Sequence, residues 1–134
     1  MDHERLIDVA RSAMERAYAP YSGFRVGAAL LGEDGSVHTG CNVENASYGL
    51  TICAERAAVV AAVAGGVRRF RSVAIVTSGT EAAAPCGACR QVLAEFSPEL
   101  SIVSMSGGDR KQWGLVDLLP ERFGPELGRR GETT

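Results

Sequence analysis

The chain has 134 residues, 46% of them hydrophobic and 22% charged, with a formal net charge of −2. That length suits one domain with its own core, and no apolar run is long enough to cross a bilayer. The slightly acidic balance argues against the broad basic footprint of a nucleic-acid binder, and the one basic cluster, Arg68, Arg69 and Arg71, reads as a solvated turn.

Asp2, Glu4, Asp8 and Glu15 interrupt any apolar leader, so a cytoplasmic protein is expected. Leu6, Ile7, Ala10, Met14 and Ala17 recur at helical spacing and predict an amphipathic helix over 3 to about 18, stopping before Pro20. After the loop "APYSG", the stretches "RVGAALLG" and "VHTGCNVEN" flank the turn residues "EDGS" and predict a β-hairpin despite their glycines. A second helix is expected over about 53–64, ending at Gly65-Gly66. "SVAIVTS" reads as a central strand. A third helix, "GACRQVLAEF", follows the loop "GTEAAAP" and ends before Pro98. "LSIVSM" is another strand, "GGDRKQWG" a turn-rich connection, and "LVDLLPERF" a short helix broken by Pro120. The pattern predicts an α/β fold, a three-layer α/β/α sandwich with a mixed central sheet, in a single domain over 1–134 whose last residues, about 126–134, form a frayed tail.

The second helix is apolar on every side from Ala57 to Ala64, so it calls for burial all round. In so small a domain the sheet covers only one flank. The other is expected to meet a second subunit.

Four cysteines, Cys41, Cys53, Cys86 and Cys89, without a recognisable secretion signal favour metal or redox chemistry over disulfides. "PCGAC" sets Cys86 and Cys89 three apart at a helix start, with Cβ atoms roughly 5–6 Å apart on one face. Tetrahedral zinc asks for sulfurs roughly 3.8 Å apart, and a helix N-terminus favours thiolate over thiol. Cys53 stands at the start of the other helix in the same setting. A thioredoxin-like dithiol or merely buried cysteines are the alternatives, and a third cysteine with Glu55 beside it tips the reading toward metal. Cys41 shares its strand face with Val43, opposite Asn42 and Glu44, and is expected to be packed. His3 and His38 read as surface histidines. Three sulfurs and one open position define a catalytic rather than a structural zinc site. A carboxylate two residues from a ligand then has a purpose, moving protons to and from water that the metal acidifies. Its bland alternative is a solvated acid stabilised by the helix dipole.

"CNVENASYGLTICAERAA" with "PCGACRQVLAEF" resembles the small, homotetrameric, zinc-dependent cytidine deaminases of pyrimidine salvage, and the likeness runs from "APYSGFRVGAAL" to "DLLPERFGP". The zinc-deaminase signature is H-x-E with P-C-x-x-C, and here cysteine takes the histidine's place, as in the small tetrameric branch. The resemblance implies one Zn²⁺ per subunit on Cys53, Cys86 and Cys89, with Glu55 as proton shuttle in the hydrolysis of cytidine or 2′-deoxycytidine to the uridine and ammonia. Three thiolates leave the zinc cluster at a formal −1, and the resemblance implies that Arg56 offsets this by hydrogen-bonding Cys53 or Cys86. It further implies that Phe24 packs against the base, that Asn42 and Glu44 bind the ribose 3′-hydroxyl, and that the Ala54 backbone meets the pyrimidine edge. Ala46 and Tyr48 would reach an adjoining subunit's site, and Phe123 would help close a pocket. "APC" stands where "SPC" is usual, which leaves the ligands untouched.

Two other readings remain at this point. A blasticidin-type deaminase shares C-A-E and P-C-G-x-C-R-Q but should lack the "NVEN" and Phe24 pair. A closed structural-zinc or dithiol redox domain has no need of Glu55. An editing deaminase acting on nucleic acid is disfavoured by the acidic balance.

Overall fold

The computed structural model describes residues 1–124, so the expected tail at 126–134 lies outside the described residues. The elements run α1 (His3–Met14), β1 (Val26–Gly32), β2 (Val37–Cys41), a single 3₁₀ turn (Tyr48–Leu50), α2 (Ala54–Ala64), β3 (Phe70–Thr77), α3 (Gly87–Phe96), β4 (Ser101–Ser106), β5 (Asp109–Gly114) and α4 (Leu115–Leu118). The five strands form one sheet in the order β2-β1-β3-β4-β5. β3 and β4 pair in parallel and the remaining neighbours are antiparallel, so the sheet is mixed as expected.

Alternation along the strands divides the core. Ala28 and Leu30 of β1 and Val73 and Ile75 of β3 pack with Ala54, Ala58, Ala62 and Leu93 of α2 and α3. Ala29, Leu31, Ala74 and Val76 face the other way, onto Leu6, Ile7 and Ala10 of α1. Both faces are covered, which makes the three layers and explains why β1 and β3 read as nearly continuous apolar runs. No helix among the described residues is long and apolar enough to cross a membrane.

Two glycines that weaken the hairpin signal allow the helices to approach. A Cβ on Gly27 would fall 2.0 Å from the Ala10 carbonyl oxygen and 2.4 Å from the Met14 nitrogen, so α1 lies directly on β1. A Cβ on Gly40 would fall 2.4 Å from both the Ala54 oxygen and the Ala58 nitrogen, so β2 receives the first turns of α2. The glycine on each face sets how close a helix, and whatever it carries, comes to the sheet.

Two expectations change. The first helix stops at Met14, because the Tyr18 N–H donates to the Asn42 carbonyl and the Glu44 N–H to the Tyr18 carbonyl, drawing the chain out of helical register. "GGDRKQWG" is not a loose connection but a hairpin. Gly107, at φ +58°, makes the tight turn, and Asp109–Gly114 adds β5 to the edge of the sheet. Its largely exposed, polar side chains hide the strand from a search for apolar alternation.

Candidate active site

Cys53 and Cys86 are the residues immediately before α2 and α3, in extended conformation, and Cys89 lies one turn into α3. Their sulfurs all lie within 4.8 Å of one another, close to the roughly 3.8 Å expected between ligands of a tetrahedral zinc. Small rotamer changes close that gap. Cys89 is buried and Cys86 exposed, so the cluster is reached from one side. Cys86 caps α3, its sulfur accepting from the Cys89 N–H at 3.4 Å. Cys41, His3 and His38 do not join the cluster. Cys41 is half-buried, His3 hydrogen-bonds Gln112 at 2.7 Å, and His38 shares a hydrogen bond with Ser36 at 2.9 Å.

The charges around the sulfurs are organised by hydrogen bonds. Without metal, a hydrogen bond from Cys89 holds the Cys53 thiol down at about 5 against its burial, with Arg56 assisting. Cys89 is pushed far up by the same bond and by burial, as befits the thiol that keeps its proton. Arg56 donates to Cys53 Sγ at 3.7 Å and to the Thr51 carbonyl at 3.2 Å, and its Nε is buried without a partner. A guanidinium spent on thiolates fits a donor set that carries excess negative charge once all three sulfurs ligate a divalent ion.

Glu55 is only 6% exposed in the first turn of α2. Burial pushes its carboxyl up to about 7, and the Cys53 thiolate adds to the rise, while backbone hydrogen bonding and Arg56 oppose it. A carboxyl near neutrality both accepts and returns a proton, which is the property a general acid–base needs.

These groups border a cavity of about 230 Å³ lined by Phe24, Asn42, Cys53, Ala54, Glu55 and Cys86, with Thr51, Thr77, Ala83 and Ala84 among the rest. The buried Asn42 bridges the hairpin to the Phe24 loop. Its Oδ1 accepts from the Val26 N–H at 2.9 Å and its Nδ2 donates to the Phe24 carbonyl at 2.8 Å. Glu44 lines an adjoining hollow with Tyr21, Ser22 and Tyr48, and Thr51 borders both spaces. Its carboxylate accepts from the Tyr21 and Ser22 N–H groups, at 2.9 and 3.1 Å, and from the Ser22 hydroxyl. Ala46 is exposed, Tyr48 is 74% exposed with its ring edge-on to Tyr21, and Phe123 is 65% exposed, its carbonyl accepting from Gln91. None of these three lines the cavity of this chain. The walls made by Thr51, Thr77, Ala83 and Ala84 escape sequence reasoning, since short residues in loops and strand ends carry no local signal of the space they face. A larger hollow, about 480 Å³, lies by Arg69, Arg71, Phe96 and Glu99, and among the described residues no metal-ligating cluster borders it.

An α/β fold that brings three thiols to two helix starts, with a buried acid beside them, defines a metal-dependent protein equipped for proton transfer. Residues 1–105 match the family described as the cytidine and deoxycytidylate deaminase zinc-binding region. The cytidine deaminase of Sporosarcina psychrophila is 48% identical over 128 residues, covering 94% of either chain. That of Mycobacterium tuberculosis H37Rv is 46% identical over 124 residues, 92% of this chain and 91% of the relative. The crystal structure of cytidine deaminase from Burkholderia pseudomallei superposes with a TM-score of 0.88 at 51% identity, over 92% of this chain and all of that one. The chain belongs to the cytidine and deoxycytidylate deaminase family, and zinc is the metal its three cysteines suit.

Proposed function

We propose that the chain hydrolyses cytidine and 2′-deoxycytidine to uridine and 2′-deoxyuridine with release of ammonia. The observation that carries this reading is a single cavity bordered by both the sulfur cluster and the buried carboxyl of Glu55. The name cytidine deaminase, borne by relatives 46–48% identical over most of the chain, supports it over a deaminase of another aminopyrimidine.

Cys53, Cys86 and Cys89 would hold Zn²⁺ as thiolates, and the bound metal would supply Lewis acidity to water. Glu55 carries one water proton to ring N3 and the second to the departing amine. The C4–O bond forms, the C4–N bond breaks, and the carboxyl ends each turnover in its starting state. Arg56 offsets thiolate charge that would otherwise oppose acidifying water. Phe24 packs on the base, and the Ala54 backbone meets the pyrimidine edge. Asn42, with one amide hydrogen left after bonding Phe24, and Glu44 hydrogen-bond the ribose 3′-hydroxyl. A carboxylate there favours a neutral nucleoside over a phosphorylated one.

The working form we propose is a homotetramer in which Ala46 and Tyr48 reach a neighbouring subunit's cavity and Phe123 helps to close one. Exposed Tyr18, Val43, Tyr48, Leu50, Ile52 and Val60 support this, as apolar surface of that extent marks an interface. A cytoplasmic place in pyrimidine salvage completes the reading. The test is zinc per chain measured alongside ammonia released from each nucleoside. Folded, zinc-loaded protein inert toward both overturns the proposal.

A further inference from the structure

The segment Ala82–Cys86 passes over β4 before α3 begins, and Ala83, Ala84 and Cys86 form one wall of the cavity. Its backbone is tied at three points by side chains. The Ala82 N–H donates to Asp109 Oδ2 at 2.8 Å, the Ala83 carbonyl accepts from the Ser104 hydroxyl at 2.8 Å, and the Pro85 carbonyl accepts from Arg90 Nε at 2.7 Å. Ala84, between the ties, lines the cavity and has neither peptide group bonded among the described residues.

The residues that make the first two ties lie outside the cavity lining. Ser104 is fully buried, in a strand whose neighbours Ile102 and Val103 are core residues. A hydroxyl there is costly unless bonded, and its partner is the wall of the site. Asp109 is delivered by the tight Gly107-Gly108 turn, opposite Ser106, whose hydroxyl is itself bonded to the cavity-lining Thr77. The outer hairpin that looked like a mere connection thus reaches back to the site through two adjacent residues of one segment.

We propose that Ser104 and Asp109 are positioning residues for the deamination reaction. They set the height of the Ala82–Cys86 segment over the sheet, and with it the cavity wall and the Cys86 sulfur. The inference rests on the functional reading above, but the placement of Cys86 can be measured without turnover.

The test compares Ser104→Ala, Asp109→Ala, Asp109→Asn and Lys111→Ala with the unaltered zinc protein. Lys111, an exposed side chain, pairs at 3.8 Å with the same Asp109 Oδ2 without touching the segment, and serves as the control. Three readouts are taken: kcat and KM for cytidine, the rate of zinc transfer to a chromophoric chelator, and the melting temperature. Ser104→Ala and Asp109→Ala are expected to raise KM and speed zinc transfer, each about tenfold. Asp109→Asn, which keeps an acceptor oxygen for the Ala82 N–H, should restore both, and Lys111→Ala should match the unaltered protein. A merely structural role predicts a lower melting temperature with unchanged KM and zinc transfer, and that result overturns the proposal. So does a Lys111→Ala that reproduces Asp109→Ala, or an Asp109→Asn that fails to rescue. If Ser104→Ala does not fold, the Asp109 pair decides. If the unaltered protein releases no ammonia from cytidine, the functional reading falls while zinc transfer still decides the placement of Cys86.

Discussion

Glu55 and Glu44 are both acids near the site, yet their surroundings push them in opposite directions. Glu55, desolvated under the sheet, rises to about 7 and is suited to exchange protons. Glu55→Gln keeps the shape and removes the exchangeable proton. We expect zinc content unchanged and kcat lowered by about 10²–10⁴-fold, read from ammonia release. Unchanged turnover would reject the proton-shuttle role. Glu44 is held below its ordinary 4.5, chiefly by the Ser22 hydroxyl and then by the Tyr21 and Ser22 N–H groups. A carboxyl whose pKa is lowered by folding stabilises the fold above its unfolded pKa, and that contribution is lost as pH falls through the folded value. Glu44→Gln should therefore flatten the acid limb of the stability–pH curve below 4.5, measured by denaturant unfolding across that range. Identical acid limbs would contradict it. The identities of these acids are plain in the sequence, whereas the sign of each shift depends on what folds around them.

At the scale of elements, the site depends on how closely α2 is seated. Gly40 gives the Ala54–Ala58 turn direct contact with β2, and that turn carries Glu55 and follows Cys53. Gly40→Ala must push it outward, with an overpacking cost of about 1–3 kcal/mol. Gly27→Ala meets a comparable clash, but with α1 on the opposite face. We expect both variants to lose stability in denaturant titration, and only Gly40→Ala to lose additional activity when assayed well below its melting point. Equal activity losses would mean that helix seating does not govern the site. The helix starts at Cys53 and Cys86 were legible from local pattern, as were the hairpin and the central strand. β5 was not, because an edge strand with solvent on one side needs no apolar alternation and reads as turn.

For the whole molecule, the question is what covers α2's outer side. Val60 is 61% exposed on a helix whose sequence is apolar all round, and Tyr48 stands out at the 3₁₀ turn. Among the described residues that helix buries its side toward the sheet and α3, and Val60 stays exposed. In the proposed tetramer Val60 meets another subunit, so Val60→Glu should desolvate a charge at the interface and shift the assembly to smaller species in sedimentation velocity, with activity falling in parallel. A monomeric unaltered protein, or an assembly indifferent to Val60→Glu, removes the basis for that reading.

The sequence by itself determined the order of most elements, the paired helix starts with their cysteines and acid, and the family likeness, because these are written in spacings of a few residues. Only the tertiary structure decided that Cys53 meets Cys86 and Cys89, that Glu55 is desolvated, and that Gly27 and Gly40 mark helix contacts. It also decided that Ser104 and Asp109 hydrogen-bond the segment whose Ala83 and Cys86 line the site. Each of these depends on parts of the chain distant in sequence being packed together, and local periodicity carries no record of which surfaces will face one another.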